Sequence, residues 1–161
     1  MMAAQTRVIE ETPATAKAGT MTVKTRFGDY EVVRDRTITM PKGLIGLAGL
    51  QTFALLNLPE GKGDHFKLLQ SLDEPSLGFY VLPVSTEASG FDADDIAEAA
   101  RLFGIPAKDL AVLLVITARR GENGVELTAN LRAPIILDTA RQVGHQHVMA
   151  SEKYPLRQRL N

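Results

Sequence analysis

The chain has 161 residues, of which 45% are hydrophobic and 23% are charged, and its formal net charge is −1. This length and composition predict one soluble globular domain. The near-neutral charge provides no overall field that would attract nucleic acid or an anionic membrane. Because the chain has no cysteine, disulfide cross-links, thiol catalysis and cysteine-ligated metal sites are excluded.

The N-terminal segment differs in composition from the remainder. Residues 1–20 are rich in Ala, Thr, Glu and Lys and contain no apolar core of a secretory signal, so they predict a disordered tail. The longest apolar run, LAVLLVI over Leu110–Ile116, is too short to span a membrane. We therefore expect a cytoplasmic protein with an ordered β domain over residues 21–161.

Short strands dominate the first half of this domain. MTVKTRFGDYEVV predicts a hairpin that turns around Phe27-Gly28-Asp29. PKGLIGLAGL has a glycine density that opposes a helix, and it predicts an apolar loop that leads into a strand near Thr52–Leu56. FKLLQSL and LGFYVLPV predict two more strands, joined by a DEPS turn.

The segment FDADDIAEAARLFGIP predicts one short α-helix over about Asp92–Phe103. Asp92 suits the N-cap position, and Gly104 suits the position that follows a helix. One apolar face repeats at helical spacing, and it consists of Ile96, Ala99, Ala100 and Phe103.

The last third predicts further strands. Two long strands should flank a turn at Gly121–Gly124, the second containing LTANLRAPIILD, and RQVGHQHVM is a candidate for another. Many short strands with regular turn signals and one helix predict a mainly β fold, an antiparallel β-barrel or roll. The alternating βαβ pattern of a doubly wound fold is missing.

No catalytic motif emerges from the sequence. GLIGLAG and GKGDH match neither a dinucleotide nor a P-loop pattern, and GxSxG is missing. His145 and His147 lie on one strand face and would form a three-histidine zinc site only if His65 joined them. A solvated histidine pair is the commoner arrangement, so we expect no enzyme, cofactor or metal.

Arginines in the last third leave one alternative of a different class, a small β-barrel RNA-binding regulatory protein. No row of aromatic side chains accompanies them, so stacking on single-stranded RNA is poorly supported and we expect no direct nucleic-acid partner. These arginines are Arg119, Arg120, Arg132, Arg141, Arg157 and Arg159.

Six stretches occur in an order that resembles the flagellar assembly factor FliW family. They are TRFGDYEV, ITMPKGLIGLAGLQTFALL, FKLLQSLDEPSLGFYVLPV, FDADDIAEAARLFGI, LTANLRAPIILD and EKYPLRQRL. The resemblance implies a mostly antiparallel β fold and a cytoplasmic role without chemistry. It also implies that the protein binds flagellin and the translational regulator CsrA, and controls flagellin synthesis by switching between these partners.

Pro134 suggests where such partners bind. A proline has no N–H for a strand ladder, so within LTANLRAPIILD it predicts an edge strand or a bulge. An edge strand would either accept a partner segment or be protected from pairing. The tail around YPLR and the apolar glycine loop are the other candidates. The residues of these three surfaces are Asn130, Arg132, Pro134, Tyr154, Leu156, Arg157, Leu44, Ile45 and Leu47.

Overall fold

A computed structural model describes residues 19–59, 65–85 and 90–160. The backbone forms two compact units that divide after Phe79, and each unit is described by itself. The predicted disordered tail falls on residues 1–18, outside the described residues, while Thr20 already begins the first strand. A single domain over residues 21–161 stays a prediction.

The first unit consists of short antiparallel strands. β1 and β2 form the predicted hairpin, with Thr25 opposite Gly28. β4 pairs with β3 and with β5. The elements are β1 (Thr20–Thr25), β2 (Gly28–Val33), a 3₁₀ turn (Arg34–Arg36), β3 (Ile38–Thr39), β4 (Thr52–Asn57) and β5 (Lys67–Ser71). A buried apolar cluster joins the hairpin to β4 and β5, through Val23, Val32, Ala54, Leu56 and Leu68.

The second unit is organised around one long strand. This strand, β7, pairs antiparallel with β6, β8 and β9. β9 also pairs with β10, and β8 with β11. The strands are β6 (Gly78–Val84, which begins at the end of the first unit), β7 (Leu110–Gly121), β8 (Gly124–Ala129), β9 (Ile135–Asp138), β10 (Val143–Gln146) and β11 (Gln158–Arg159).

The predicted helix is confirmed as α1 (Ala93–Leu102), followed by a 3₁₀ turn at Ala107–Asp109. Ile96, Ala99 and Ala100 are buried, as the apolar spacing predicts. Burial of the large Ile96 side chain contributes about 1.5–3 kcal/mol to the free energy of folding. Gly104 follows the helix with a φ of +69°, a left-handed conformation that glycine adopts without strain. Asp92 occupies the N-cap position, but its side chain makes no cap hydrogen bond.

LTANLRAPIILD is not one strand, and the prediction of an edge strand through Pro134 is wrong. β8 ends at Ala129, the chain bends at Arg132 and Ala133, and β9 begins only at Ile135. Pro134 is fully buried in this break. Pro134 therefore directly precedes β9 and lies outside both strands, so it exposes no ladder to a partner.

The fold class is confirmed as mainly β with antiparallel pairing and a short helix. Nowhere in the described ranges does a helix have both the length and the apolar character needed to cross a membrane.

Candidate partner-binding surfaces

The loop between β3 and β4, here called the glycine loop (Met40–Gln51), is fastened at its base by a carboxylate. Asp73 Oδ2 accepts hydrogen bonds from the backbone N–H groups of Gln51 and Thr52, at 2.7 and 2.9 Å. Met40 N donates to Gln51 O at 2.7 Å, and the Gln51 amide donates to Pro41 O at 2.9 Å. Both ends of the loop are therefore tied to each other and to the turn that carries Asp73.

The interior of the glycine loop is a tight turn that requires glycine at one position. Leu44 and Leu47 form an isolated antiparallel bridge, with Leu47 N donating to Leu44 O at 2.7 Å. Gly43 has a φ of +65°, and a Cβ there would lie 2.5 Å from Leu47 O. The turn closes because Gly43 has no side chain and reaches the left-handed region freely.

This turn separates the three apolar residues that the sequence groups together. Leu44 is buried at 5% exposure, whereas Ile45 is 58% and Leu47 36% exposed. Leu44 thus anchors the loop, and only Ile45 and Leu47 display apolar surface. An exposed pair of large apolar side chains on a hydrogen-bonded loop is typical of a protein-binding surface.

The turn that supports the glycine loop is organised by a buried amide. Gln70 is 2% exposed, and its two Nε2–H donors are shared among the carbonyl oxygens of Ser71, Pro75 and Leu77, which lie 2.9–3.0 Å from Nε2. Ser71 Oγ accepts the Glu74 N–H at 2.9 Å. These bonds fix the stretch QSLDEPSLG in one conformation and so place Asp73 under the glycine loop.

The C-terminal segment (Ser151–Leu160) is held against the start of α1 through Tyr154. This side chain is 3% exposed, and its ring centroid lies 4.9 Å from that of Phe91. Its hydroxyl donates to Asp95 Oδ2 at 2.5 Å and accepts the Asp92 N–H at 3.0 Å. Lys153 makes an ion pair with Asp92 and lies 3.9 Å from Asp95.

These contacts shift two pKa values upward. Burial raises the pKa of Tyr154, and the hydrogen bond to Asp95 raises it further. The hydrogen bond to Asp92 raises the pKa of Lys153. At neutral pH the phenol is therefore a neutral donor to a carboxylate, and the ammonium keeps its charge beside two acidic residues.

We expect Tyr154→Phe to lower the free energy of unfolding by roughly 2 kcal/mol, because it removes a bond to a charged acceptor and leaves the Asp92 N–H without a partner. A phenol whose folded pKa is raised contributes stability that is complete below its unfolded pKa of 10.0 and is lost as pH rises through the folded value. The variant should therefore lose less stability than the wild type in alkaline urea titrations. Equal alkaline losses in both proteins would contradict this assignment.

Residues of the bend between β8 and β9 are used inside the chain. Arg132 Nε donates to Tyr154 O at 2.7 Å, and its Nη2 donates to Glu152 O at 3.0 Å. Asn130 Oδ1 accepts the N–H of Ala133, three residues on, at 3.0 Å, and this side-chain-to-backbone bond shapes the bend. The polar groups that the sequence offers to a partner thus hold the C-terminal segment in place.

Of the tail residues selected from the sequence, Leu156 and Arg157 remain accessible. Leu156 is 58% exposed and Arg157 is exposed. They follow Pro155, whose carbonyl oxygen accepts the N–H groups of Leu131 and Arg132 at 3.0 and 3.2 Å. The second accessible surface therefore consists of Leu156 and Arg157 on a segment fixed on both sides, by Tyr154 and by the β11 pairing.

The geometry of the described residues does not support the two alternatives, a histidine zinc site and an RNA-binding surface. His145 lies in β10 and His147 just after it, and both contact the Phe103 ring, with centroids 4.2 and 5.7 Å from that of Phe103. No group of three or more His, Cys, Asp or Glu side chains suited to a metal occurs in the described part of the chain. Three of the arginines that were candidates for binding RNA instead pair with groups of the protein itself. Arg132 bonds to Tyr154 O, and Arg141 and Arg159 form ion pairs with Asp138 and Glu126.

Sequence reasoning missed the residues that position these surfaces. Asp73 and Gln70 lie in a stretch interpreted only as a strand and turn, and Asp95 lies in a segment interpreted only as a helix. The partners of Asp73 and Asp95 are distant along the chain: Asp73 bonds to residues 21 and 22 positions away, and Tyr154 and Asp95 are 59 residues apart.

Comparison with known proteins agrees with this architecture. The family model described as FliW protein matches residues 21–160. The flagellar assembly factor FliW of Geotalea uraniireducens is 35% identical over 133 residues, covering 83% of this chain and 79% of that protein. The flagellar assembly factor FliW of Leptospira interrogans is 29% identical over 136 residues, with 83% and 88% covered. A crystal structure of the flagellar assembly factor FliW superposes with a TM-score of 0.67 at 25% identity, covering 89% of this chain and 97% of that one.

Proposed function

Because this chain belongs to the FliW family of flagellar assembly factors, we propose that it acts in the cytoplasm by binding other proteins and not by catalysis. Its partners in this proposal are flagellin and the translational regulator CsrA. While flagellin is bound, the protein does not bind CsrA. When flagellin is exported, the protein becomes free to bind CsrA, which represses flagellin synthesis, and so to antagonise it. Flagellin synthesis then follows the amount of free flagellin.

The observation that carries the proposal is the glycine loop. Two large apolar side chains, Ile45 and Leu47, are exposed on a loop whose ends are bonded to Asp73 and to each other. A loop already ordered before binding loses little conformational entropy when a partner covers it. Its exposed apolar surface is therefore available as binding energy.

Leu156 and Arg157 supply the second proposed surface. They combine an apolar side chain with a guanidinium on a segment whose backbone is fixed by Tyr154 and β11. Leucine contributes buried apolar area, and arginine forms bidentate bonds to carboxylates. This pairing suits a partner segment that presents an apolar residue beside an acidic one.

Partner switching requires that flagellin and CsrA disfavour each other on this protein. The coupling is reciprocal, because a ligand that weakens a second one is weakened by it to the same factor. Excess flagellin should therefore lower the affinity for CsrA, and excess CsrA should lower the affinity for flagellin by the same factor.

We expect Leu47→Asp and Leu156→Asp to weaken flagellin binding by roughly 30-fold where the residue lies at the centre of the interface, as for other interface hot spots. Isothermal titration calorimetry with purified flagellin measures this directly. Val148→Asp is the matched control, since Val148 is 57% exposed and belongs to neither surface. Circular dichroism would establish that all three variants stay folded.

The outcomes separate the two surfaces. A loss with Leu47→Asp alone places flagellin on the glycine loop, and a loss with Leu156→Asp alone places it on the C-terminal segment. Unchanged affinity in both folded variants would reject both surfaces. No detectable binding of wild-type protein to flagellin, or CsrA affinity that excess flagellin leaves unchanged, would reject the proposed switch.

A further inference from the structure

A groove runs along one flank of α1 in the second unit, and none of its lining residues belongs to the two surfaces described above. It encloses about 310 Å³ between the helix and the segment that leads into β7. Ile96, Ala100 and Ile105 are buried and form its floor, while Ala93 and Ala97 are exposed along its edge. Small side chains at Ala93 and Ala97, one helical turn apart, keep the groove open to an incoming side chain.

The groove carries a single kind of charge. Among its described lining residues Arg101 alone is charged. Asp95 and Glu98 line a second cavity beside His147, which Arg101 also borders, and neither acidic residue lines the groove. A carboxylate entering the groove would therefore meet a cation and no like charge from its walls.

The guanidinium of Arg101 has no partner of its own in the described part of the chain. Its backbone carbonyl accepts the Gly104 N–H at 3.1 Å, but its side chain makes no hydrogen bond or ion pair within that part. Arginine presents five donors in a fixed planar arrangement that matches a carboxylate. An exposed arginine beside an apolar groove thus offers both halves of a recognition site.

We propose that this groove docks a protein segment with an apolar side chain next to an Asp or Glu. The apolar side chain fills the space above Ile96, Ala100 and Ile105, and the carboxylate pairs with Arg101. Charge complementarity selects this occupant, because a basic segment would meet Arg101 unfavourably. The inference is independent of the flagellar role, since it uses neither the glycine loop nor the C-terminal segment.

The test uses the full-length protein labelled with ¹⁵N and three capped synthetic hexapeptides. The probe is a Leu-Glu repeat, and its controls are a Leu-Lys repeat and a Ser-Glu repeat. We expect saturable amide shifts for the Leu-Glu peptide, concentrated at Ala97, Arg101 and Ile105. Both controls should bind at least roughly threefold more weakly, because each lacks one half of the recognised pair.

Two substitutions at exposed helix positions sharpen the result. Arg101→Gln removes the charge and should weaken the Leu-Glu peptide roughly threefold to tenfold. Ala97→Phe fills the groove and should abolish the amide shifts caused by the Leu-Glu peptide, while the rest of the spectrum remains that of a folded protein. Arg120→Gln is the matched control, because Arg120 is exposed near the hairpin tip and outside the groove.

Several outcomes would overturn the proposal. These are no saturable shift with the Leu-Glu peptide, equal binding of the Leu-Lys peptide, or shifts that persist in Ala97→Phe. Shifts at the same residues that depend on protein concentration without peptide would show that a second copy of the chain occupies the groove instead.

Discussion

Gly43→Ala is expected to destabilise the protein by about 2–4 kcal/mol and to disorder the glycine loop. Two effects combine at this position. The left-handed backbone, with φ of +65°, is strained for any residue with a Cβ, and that Cβ would lie 2.5 Å from Leu47 O. Because the close atom belongs to the backbone, no rotamer change relieves the clash. Urea denaturation gives the loss of stability, and amide exchange at Leu47 reports the loop.

Gly46→Ala provides the matched control in the same loop. Gly46 also has a positive φ, +84°, but a Cβ there meets nothing within 4 Å. Its substitution carries only the backbone strain, about 1 kcal/mol. Equal losses of stability in the two variants would show that the approach of Gly43 to Leu47 O does not hold the loop.

Gln70→Glu is expected to cost about 3–5 kcal/mol near neutral pH. The substitution keeps the shape of the side chain but places an acceptor among the carbonyl oxygens of Ser71, Pro75 and Leu77. A buried carboxylate facing three acceptors is unpaired, which is among the most damaging single changes. Because Asp73 follows on the same turn, the base of the glycine loop should loosen as well.

The loss caused by Gln70→Glu should depend on pH in a defined direction. Burial and the surrounding carbonyl oxygens raise the folded pKa of the introduced carboxyl, so its penalty grows as pH rises above the unfolded value of about 4.3. Urea melts at about pH 5 and about pH 8 should show the larger deficit at the higher pH. Gln158→Glu, at an exposed position, is the control and should change little. A pH-independent deficit would show that lost hydrogen bonds, and not buried charge, dominate.

Local patterns predict elements whose causes are local. The helix over about Asp92–Phe103 was predicted within one residue at each end, because its apolar spacing and the glycine at its end lie within the segment itself. The hairpin at the start of the domain and the strands around DEPS were predicted equally well. In each of them, turn residues bound a run with clear periodicity.

The prediction of one continuous strand over LTANLRAPIILD was wrong because its apolar residues continue through a bend. The end of β8 and the start of β9 are buried, and so are Leu131, Ala133 and Pro134 between them, so apolar residues continue through the break. Asn130 and Pro134 were the local signals for a bend, as prolines and asparagine side chains that bond to the local backbone end strands. They were interpreted as features of an exposed edge instead.

The sites were less predictable than the fold. Leu44 and Leu47 are alike in sequence, yet one is buried and the other exposed, because the tight turn at Gly43 decides which faces outward. Arg132 bonds to carbonyl oxygens 20 and 22 residues away, which no local pattern reveals.

The attachment of Tyr154 to α1 has a consequence for proteolysis. A cut after Ser151 would remove more than a short tail, because Tyr154 packs on Phe91 and Pro155 O accepts the N–H groups of Leu131 and Arg132. The shortened protein would leave two backbone donors unsatisfied and an aromatic ring open to water. Such a fragment should aggregate, so a cell that clips this end would inactivate the whole domain in a single step.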